Sequence, residues 1–337
     1  MNQEHAARRL GKGSVPAPAA PLPAALAVYA TGEPAAPYEL LADREDGTVV
    51  RCGGIVAKAH AADSDCDDLA VRMRIAADRA LAGVLLPPLR PGAGLLRGRP
   101  VSLWPYGVPV DPERPEAAPW EAAARLLAAL HQVPLDGLPG PLPPMRGPDR
   151  LSRALGRLAR AASAGHAGHR FEPGLDPGVV RDAARTLPAW VRGAVPAPPG
   201  GVLCHGDLHL GQLVRGSAAD GGWRLIDVDD LGVGTPAWDL ARPAAWYAAG
   251  VLGADAWGRF LDAYRAAGGP AAGPAGRDPG PAPLDLAARA LTVQTAALAL
   301  ARSAENRRRL DDVERLMVES CARIAALPPD RAARAHQ

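Results

Sequence analysis

The stretch His205-Gly206-Asp207-Leu208-His209-Leu210-Gly211-Gln212, followed by Leu225-Ile226-Asp227, decides the reading of this chain. Val202-Leu203-Cys204 is a short apolar run that reads as a buried strand and delivers Asp207 to its end. Two more short strands flank the turn at 216–222. The midpoint between Gln212 and Asp227 falls in that turn, at Ala219 and Asp220. Equal arms place Gln212 and Asp227 side by side at the open end of a hairpin. Asp207, Gln212 and Asp227 then converge. Two carboxylates and an amide suit a hard cation such as Mg²⁺, which takes oxygen ligands.

Phosphoryl transfer needs parts of this kind: one Asp orients or deprotonates the attacking hydroxyl, and metal ligands hold the nucleotide phosphates. The segment from His205 to Gln212 keeps the spacing of the kinase catalytic loop H-R-D-x-x-x-x-N, and a strand-borne Asp follows it. A phosphate-pairing lysine is also available. Of the 38 Lys and Arg residues only Lys12 and Lys58 are lysine, and Lys12 sits in a tail. Lys58 either survives a bias toward arginine by chance or is kept because a guanidinium cannot replace its compact ammonium.

Working outward, residues 1–22 are rich in Ala, Pro and Gly and read as a disordered tail. Strands are expected at 38–42, 48–51 and 55–59, with Lys58 on the third, then a helix over 63–82 with an Asp-rich start. Short strands at 84–86 and 101–103 complete an N-terminal unit, 23–103, and Trp104-Pro105-Tyr106-Gly107 marks a break. The rest, 108–327, is mainly helical: 120–131, 151–162, 179–191, 256–267, 286–302 and 310–326 carry helical periodicity or composition. A tail at 328–337 follows.

The composition sets outer limits. A net charge of +2 with 48% hydrophobic and 22% charged residues describes a globular chain and argues against nucleic-acid or polybasic membrane partners. The longest apolar run, 288–301, is short for a bilayer span, and the N-terminus has no signal-peptide core, so a cytoplasmic location is expected. Four cysteines without a CxxC pair give neither a disulfide framework nor a zinc knuckle.

These segments resemble the aminoglycoside phosphotransferase and choline-kinase-like superfamily of small-molecule kinases. The motifs are 202–209 and 225–230, supported by Gly234-Thr235-Pro236, Trp238-Asp239-Leu240-Ala241, 126–131 and 260–265. The resemblance implies an α+β, bilobal protein-kinase-like fold with a small β-rich N-lobe and a larger, mainly helical C-lobe. It implies an ATP- or GTP-dependent O-phosphotransferase whose acceptor is a small molecule such as an aminoglycoside, sugar, amino alcohol or natural-product intermediate. By the same resemblance Asp207 is the catalytic base or orients the hydroxyl, and Gln212 and Asp227 hold Mg²⁺. Lys58 meets the α/β-phosphates, and backbone groups of Trp104 to Tyr106 meet the adenine. His205 is an accessory residue that braces the loop, and Asp239 anchors it. Asp229 and Asp230 are either further acids beside the metal or solvated turn residues.

The chain also departs from the pattern. Gln212 stands where most members have Asn, and Leu210 where Pro is common. The helix-borne acid expected for Lys58 falls near Arg72 or Met73, which leaves Asp67, Asp68 and Asp78 as its alternatives. These departures motivate a second reading, a nucleotide-binding pseudokinase or regulatory protein.

Overall fold

A computed structural model describes residues 20–44, 47–163, 171–216, 221–273 and 283–327. The expected tail at 328–337, most of the one at 1–22, and His166 and His169 lie outside these residues.

The N-terminal part is built on a five-stranded antiparallel sheet: β1 (Glu39–Arg44), β2 (Gly47–Cys52), β3 (Ile55–His60), β4 (Gly94–Leu96) and β5 (Arg99–Pro105), in the order β1-β2-β3-β5-β4. Alternation along β3 and β5 divides the side chains between two faces. Ala57, Ala59, Val101 and Leu103 pack with Leu26 and Ala27 of α1 (Leu22–Thr31) in a small core of their own. Lys58, His60, Ser102 and Trp104 point to the other face, and Ser102 stands opposite Lys58 in the register. The sequence reading placed no element where α1 lies; its Pro, Ala and Leu residues resemble the tail before them.

The expected helix over 63–82 is shorter. Asp65 caps α2 (Cys66–Ala76) by accepting from the Asp67 and Asp68 amides at 2.9 and 3.0 Å, and Asp78 starts a separate turn at Arg79–Leu81. The segment 84–86 does not join the N-terminal sheet. Leu85 forms a parallel bridge to Leu225, with Leu86 N donating to Leu225 O and Leu225 N to Val84 O, both at 2.9 Å.

The C-terminal part contains β6 (Val108–Pro109), α3 (Trp120–His131), α4 (Gly147–Ser163), α5 (Pro177–Arg185), β7 (Val202–Cys204), β8 (Leu213–Arg215), β9 (Trp223–Leu225), β10 (Gly232–Gly234), α6 (Ala241–Ala248), α7 (Ala254–Ala266), α8 (Pro283–Asn306) and α9 (Asp312–Ala325). Strands β6, β8 and β9 form one small sheet; β7 and β10 form another. The helix α8 packs against α4, α5, α6 and α9. It is long and apolar enough to cross a membrane by composition, but 72% of its most apolar window is buried inside the protein. That burial pattern is the one expected of a core helix, apolar all round because neighbours surround it.

Candidate active site

The loop after β7 carries Asp207, and its shape is fixed from beneath. Gly206 has φ +86°, and a Cβ there would meet the Asp230 carbonyl oxygen, so glycine is required. Asp239 anchors the loop: His205 N and Gly206 N donate to its two oxygens at 2.6 and 2.7 Å. His131 Nε2 meets the same carboxylate at 3.0 Å, and His131 Nδ1 meets the Tyr264 hydroxyl at 2.7 Å. Because a carboxylate only accepts, His131 donates from Nε2. Burial pushes the Asp239 carboxyl up, and these donors together hold it below the ordinary carboxylate range. His205 braces the loop toward the hairpin, with Nε2 donating to Ile226 O at 2.8 Å and Nδ1 accepting from Asp207 N at 3.4 Å. The bracing expected of His205 and the anchoring expected of Asp239 are the contacts these two residues make.

Asp207 is gripped by two arginines. Arg242 Nη2 and Arg150 Nη1 lie 2.5 Å from its two oxygens, and Arg150 Nη1 also lies 2.5 Å from Asp230 Oδ2. Burial opposes ionisation of Asp207, but the two guanidiniums outweigh it and lower its pKa. Asp230 is the reverse case. Burial and the neighbouring carboxylates of Asp207, Asp229 and Asp227 raise its pKa against the pull of Arg150. Neither arginine was singled out from sequence. Arg242 directly follows the Asp-Leu-Ala segment at 239–241, which is a usable signal; Arg150 carries none.

The hairpin corrects one expectation. The ladder pairs Leu213 with Leu225, so Ile226, not Asp227, stands opposite Gln212, and Ile226 N donates to Gln212 O at 2.9 Å. A one-residue shift in a strand turns a side chain to the other face. Asp227 escapes this because it adopts φ +66° and leaves the strand there. Its side chain therefore still meets Gln212, with Nε2 donating to Asp227 Oδ2 at 3.3 Å.

Lys58 reaches this point from the sheet. Its Nζ lies 2.7 Å from Asp227 Oδ1 and 3.0 Å from Asp229 Oδ2. Burial would neutralise the ammonium, but the two carboxylates more than reverse that and hold its pKa above the usual lysine range. The partners expected for Lys58 on α2 or just after it, Asp67, Asp68 and Asp78, are otherwise placed. Asp68 pairs with Arg72 at 3.3 Å, Asp78 caps its own turn, and Asp67 is exposed. Nor are Asp229 and Asp230 solvated turn residues, since Lys58 and His60 hold one and Arg150 the other.

The segment 104–107 is less open than expected. Trp104 and Pro105 still belong to β5, Trp104 Nε1 donates to Ser102 Oγ at 2.8 Å, and Tyr106 N already donates to Gly54 O at 2.8 Å. The Tyr106 ring lies under the Arg51 guanidinium, 3.6 Å from its centroid.

The donor pair of Gln212 and Asp227 is all oxygen once the Gln212 amide turns its Oε1 toward Asp227, a change of orientation only. Such a set fits a divalent hard cation.

A sheet-borne lysine facing two aspartates after a hairpin, beside a clamped aspartate on a separate loop, is the layout of a small-molecule kinase. The sequence matches the model of the phosphotransferase enzyme family over residues 70–286, and the chain belongs to that family. The fold agrees. A choline/ethanolamine kinase family protein from Mesorhizobium loti superposes with a TM-score of 0.54 at 19% identity, covering 87% of this chain and 89% of that one. A thermostable mutant of an aminoglycoside phosphotransferase, in ternary complex with AMP-PNP and hygromycin B, gives 0.55 at 15% identity, covering 89% and 96%. Spectinomycin phosphotransferase, in complex with ADP and spectinomycin, gives 0.53 at 13% identity, covering 87% and 90%. No curated protein matches the sequence significantly.

Proposed function

We propose that this small-molecule phosphotransferase moves the γ-phosphoryl group of ATP or GTP to a hydroxyl of its acceptor, with Asp207 aiming that hydroxyl. The supporting observation is the meeting of Lys58 with the acids of the 227–230 loop, next to the arginine-held Asp207. Lys58 would hold the α/β-phosphates, and Gln212 and Asp227 would hold Mg²⁺, which supplies positive charge against the phosphates. The base would lie along 104–106, meeting carbonyl oxygens because the Tyr106 amide is engaged. Asp207, kept ionised by Arg150 and Arg242, accepts a hydrogen bond from the acceptor hydroxyl. The new O–P bond forms as the bond to the β-phosphate oxygen breaks, and the hydroxyl proton leaves through Asp207. Catalysis is then mostly positioning and electrostatics.

We infer from the residues beside Asp207, where the cleft is closed down to about the size of a water molecule, that a neutral or anionic acceptor such as a sugar is preferred over a polycationic aminoglycoside. The lining of the cleft is Gly206, Asp207, Leu208, Trp238, Arg242, Leu291 and Gln294, with no carboxylate among the described residues besides Asp207. Gln294 is 4% exposed and meets no side-chain hydrogen-bond partner among the described residues, so its amide is available to an acceptor. Four acids of the C-terminal half are engaged elsewhere: Glu305 with Arg157 and Glu314 with Arg308 at 2.6 Å each, Asp285 with Arg289, and Asp311 as the cap of α9. Free buried thiols at Cys52, Cys204 and Cys321 suit a reducing cytoplasm.

Calorimetric titration with ATP and with GTP, each with and without Mg²⁺, tests this reading, followed by an acceptor screen by mass spectrometry. Magnesium-dependent nucleotide binding and a phosphorylated product support it. Absence of nucleotide binding overturns it. Nucleotide binding without turnover across the panel favours the regulatory-protein reading.

A further inference from the structure

The helix α2 brings no carboxylate to Lys58. In its place Arg72, 2% exposed, runs into the C-terminal part, where Nε donates to Leu231 O at 2.8 Å and Nη2 to Pro144 O at 3.4 Å. Among the described residues the acids within ion-pair distance of Lys58 are Asp227 and Asp229, both from the loop after β9.

These two acids differ in what stands behind them. Asp227 faces Gln212 and belongs to the oxygen set suited to a metal ion. Asp229 Oδ2, the oxygen that meets Lys58, is also held by His60 Nδ1 at 3.1 Å. His60 Nε2 in turn meets Ser102 Oγ at 2.7 Å, and Trp104 Nε1 donates to the same hydroxyl at 2.8 Å. Lys58 and His60 are two residues apart on β3 and so share a face; Ser102 is cross-strand from Lys58. A continuous chain, Trp104–Ser102–His60–Asp229–Lys58, thus crosses the sheet face. A metal ion held by Asp227 and Gln212 would leave Asp229 as the acid for the ammonium.

We propose that Asp229 is the positioning residue of Lys58, doing from the C-terminal part what a helix-borne acid does in the kinase template, so that lysine alignment depends on the two lobes meeting and not on the placement of α2. This rests on the nucleotide-kinase reading above. Its physical basis is that a bonded, charged partner fixes where a flexible lysine presents its charge.

The test is calorimetry on the full chain with ATP, ADP and adenosine, with and without Mg²⁺. Asp229→Asn is expected to weaken ATP and ADP binding about tenfold, the scale on which a supporting partner matters to a charged ligand. Adenosine binding stays unchanged, because adenosine lacks the phosphates that Lys58 meets. Lys58→Ala gives the same pattern, and the double variant binds no worse than Lys58→Ala alone. His60→Gln, which removes the ring nitrogen that holds Asp229 Oδ2, shifts ATP and ADP in the same direction, and provides the test if Asp229→Asn does not fold. Asp67→Asn leaves all three ligands unchanged. Unaltered ATP affinity in Asp229→Asn, an equal loss for adenosine, or additive losses in the double variant would each overturn the proposal. So would a loss seen only with Mg²⁺ present, since Asp229 would then be a metal ligand. A wild-type chain that binds no nucleotide at all removes the kinase reading itself, a separate failure.

Discussion

Arg242 Nη2 lies 2.5 Å from Asp207 Oδ1 and Arg242 Nε donates to Leu208 O at 3.1 Å, so one guanidinium fixes both the acid and the backbone beside it. Asp207→Asn keeps the size of the side chain and removes its charge. Turnover is expected to fall by roughly 10²–10⁴-fold, the usual range for a positioned proton acceptor. Nucleotide affinity should hardly change, because Lys58 and Asp227 are untouched. Steady-state kinetics beside calorimetry checks both halves, and a fully active Asp207→Asn enzyme removes Asp207 from the reaction.

Gln212 is buried and directed at Asp227. Gln212→Leu preserves bulk and removes the amide oxygen. The Mg²⁺ concentration needed for half-maximal ATP binding should rise by about tenfold or more, since Mg²⁺ is strict about its oxygen ligands. Mg²⁺-free ATP binding should stay the same. Equal Mg²⁺ requirements in the two proteins would exclude Gln212 as a ligand.

Asp239 is a stability residue first. Its side chain and that of His131 are both 0% exposed, and it receives two backbone amides of the catalytic loop. Asp239→Ala leaves those two amides and His131 Nε2 without the acceptor they share. Urea unfolding should show a loss of about 3 kcal/mol or more, typical of breaking a buried charged network. Losing less than about 1 kcal/mol would mean that the loop holds its shape by other means.

His209 predicts a pH effect. Burial, with Arg242 adding to it, lowers its pKa from the ordinary 6.5 to about 4. Between those values the unfolded chain binds a proton that the folded protein does not, so folding stability rises with pH across this window. Acidification from pH 6.5 toward 4 should therefore cost up to about 3 kcal/mol from this group, at roughly 1.4 kcal/mol per pH unit. His209 Nδ1 also accepts from Gly211 N at 3.0 Å, and asparagine can keep that cap. The difference in chemical stability between wild type and His209→Asn, followed over pH, isolates the effect; parallel curves would refute it.

The Asp207 loop, the lysine strand and α3 were legible in the sequence because each is set by local pattern: the H-G-D spacing after a short apolar run, the turn at Gly53-Gly54 before β3, and period 3.6 in α3, whereas α1 has the composition of the tail before it. The hairpin register came out one residue off because the turn between β8 and β9 sets it, while Asp227 lies beyond the ladder in a left-handed conformation that a non-glycine residue does not advertise. Its site position survived that error only because that conformation compensates for the shift. The partners of Lys58 and Asp207 were not legible, since Asp229, Arg150 and Arg242 lie far from them in sequence and meet them through tertiary packing. Likewise the run 84–86 has ordinary strand composition, which says nothing about which sheet it will join.

That last run has a consequence for how the molecule can be divided. Backbone bonds from Val84 and Leu86 to Leu225 extend the β8–β9 hairpin with chain that precedes residue 104. Cutting near residue 106 would strip β9 of a neighbour and uncover Leu85, now 0% exposed. The two lobes are therefore co-dependent pieces rather than interchangeable modules. Swapping the N-terminal part for that of a relative would have to carry the β8–β9 hairpin along with it.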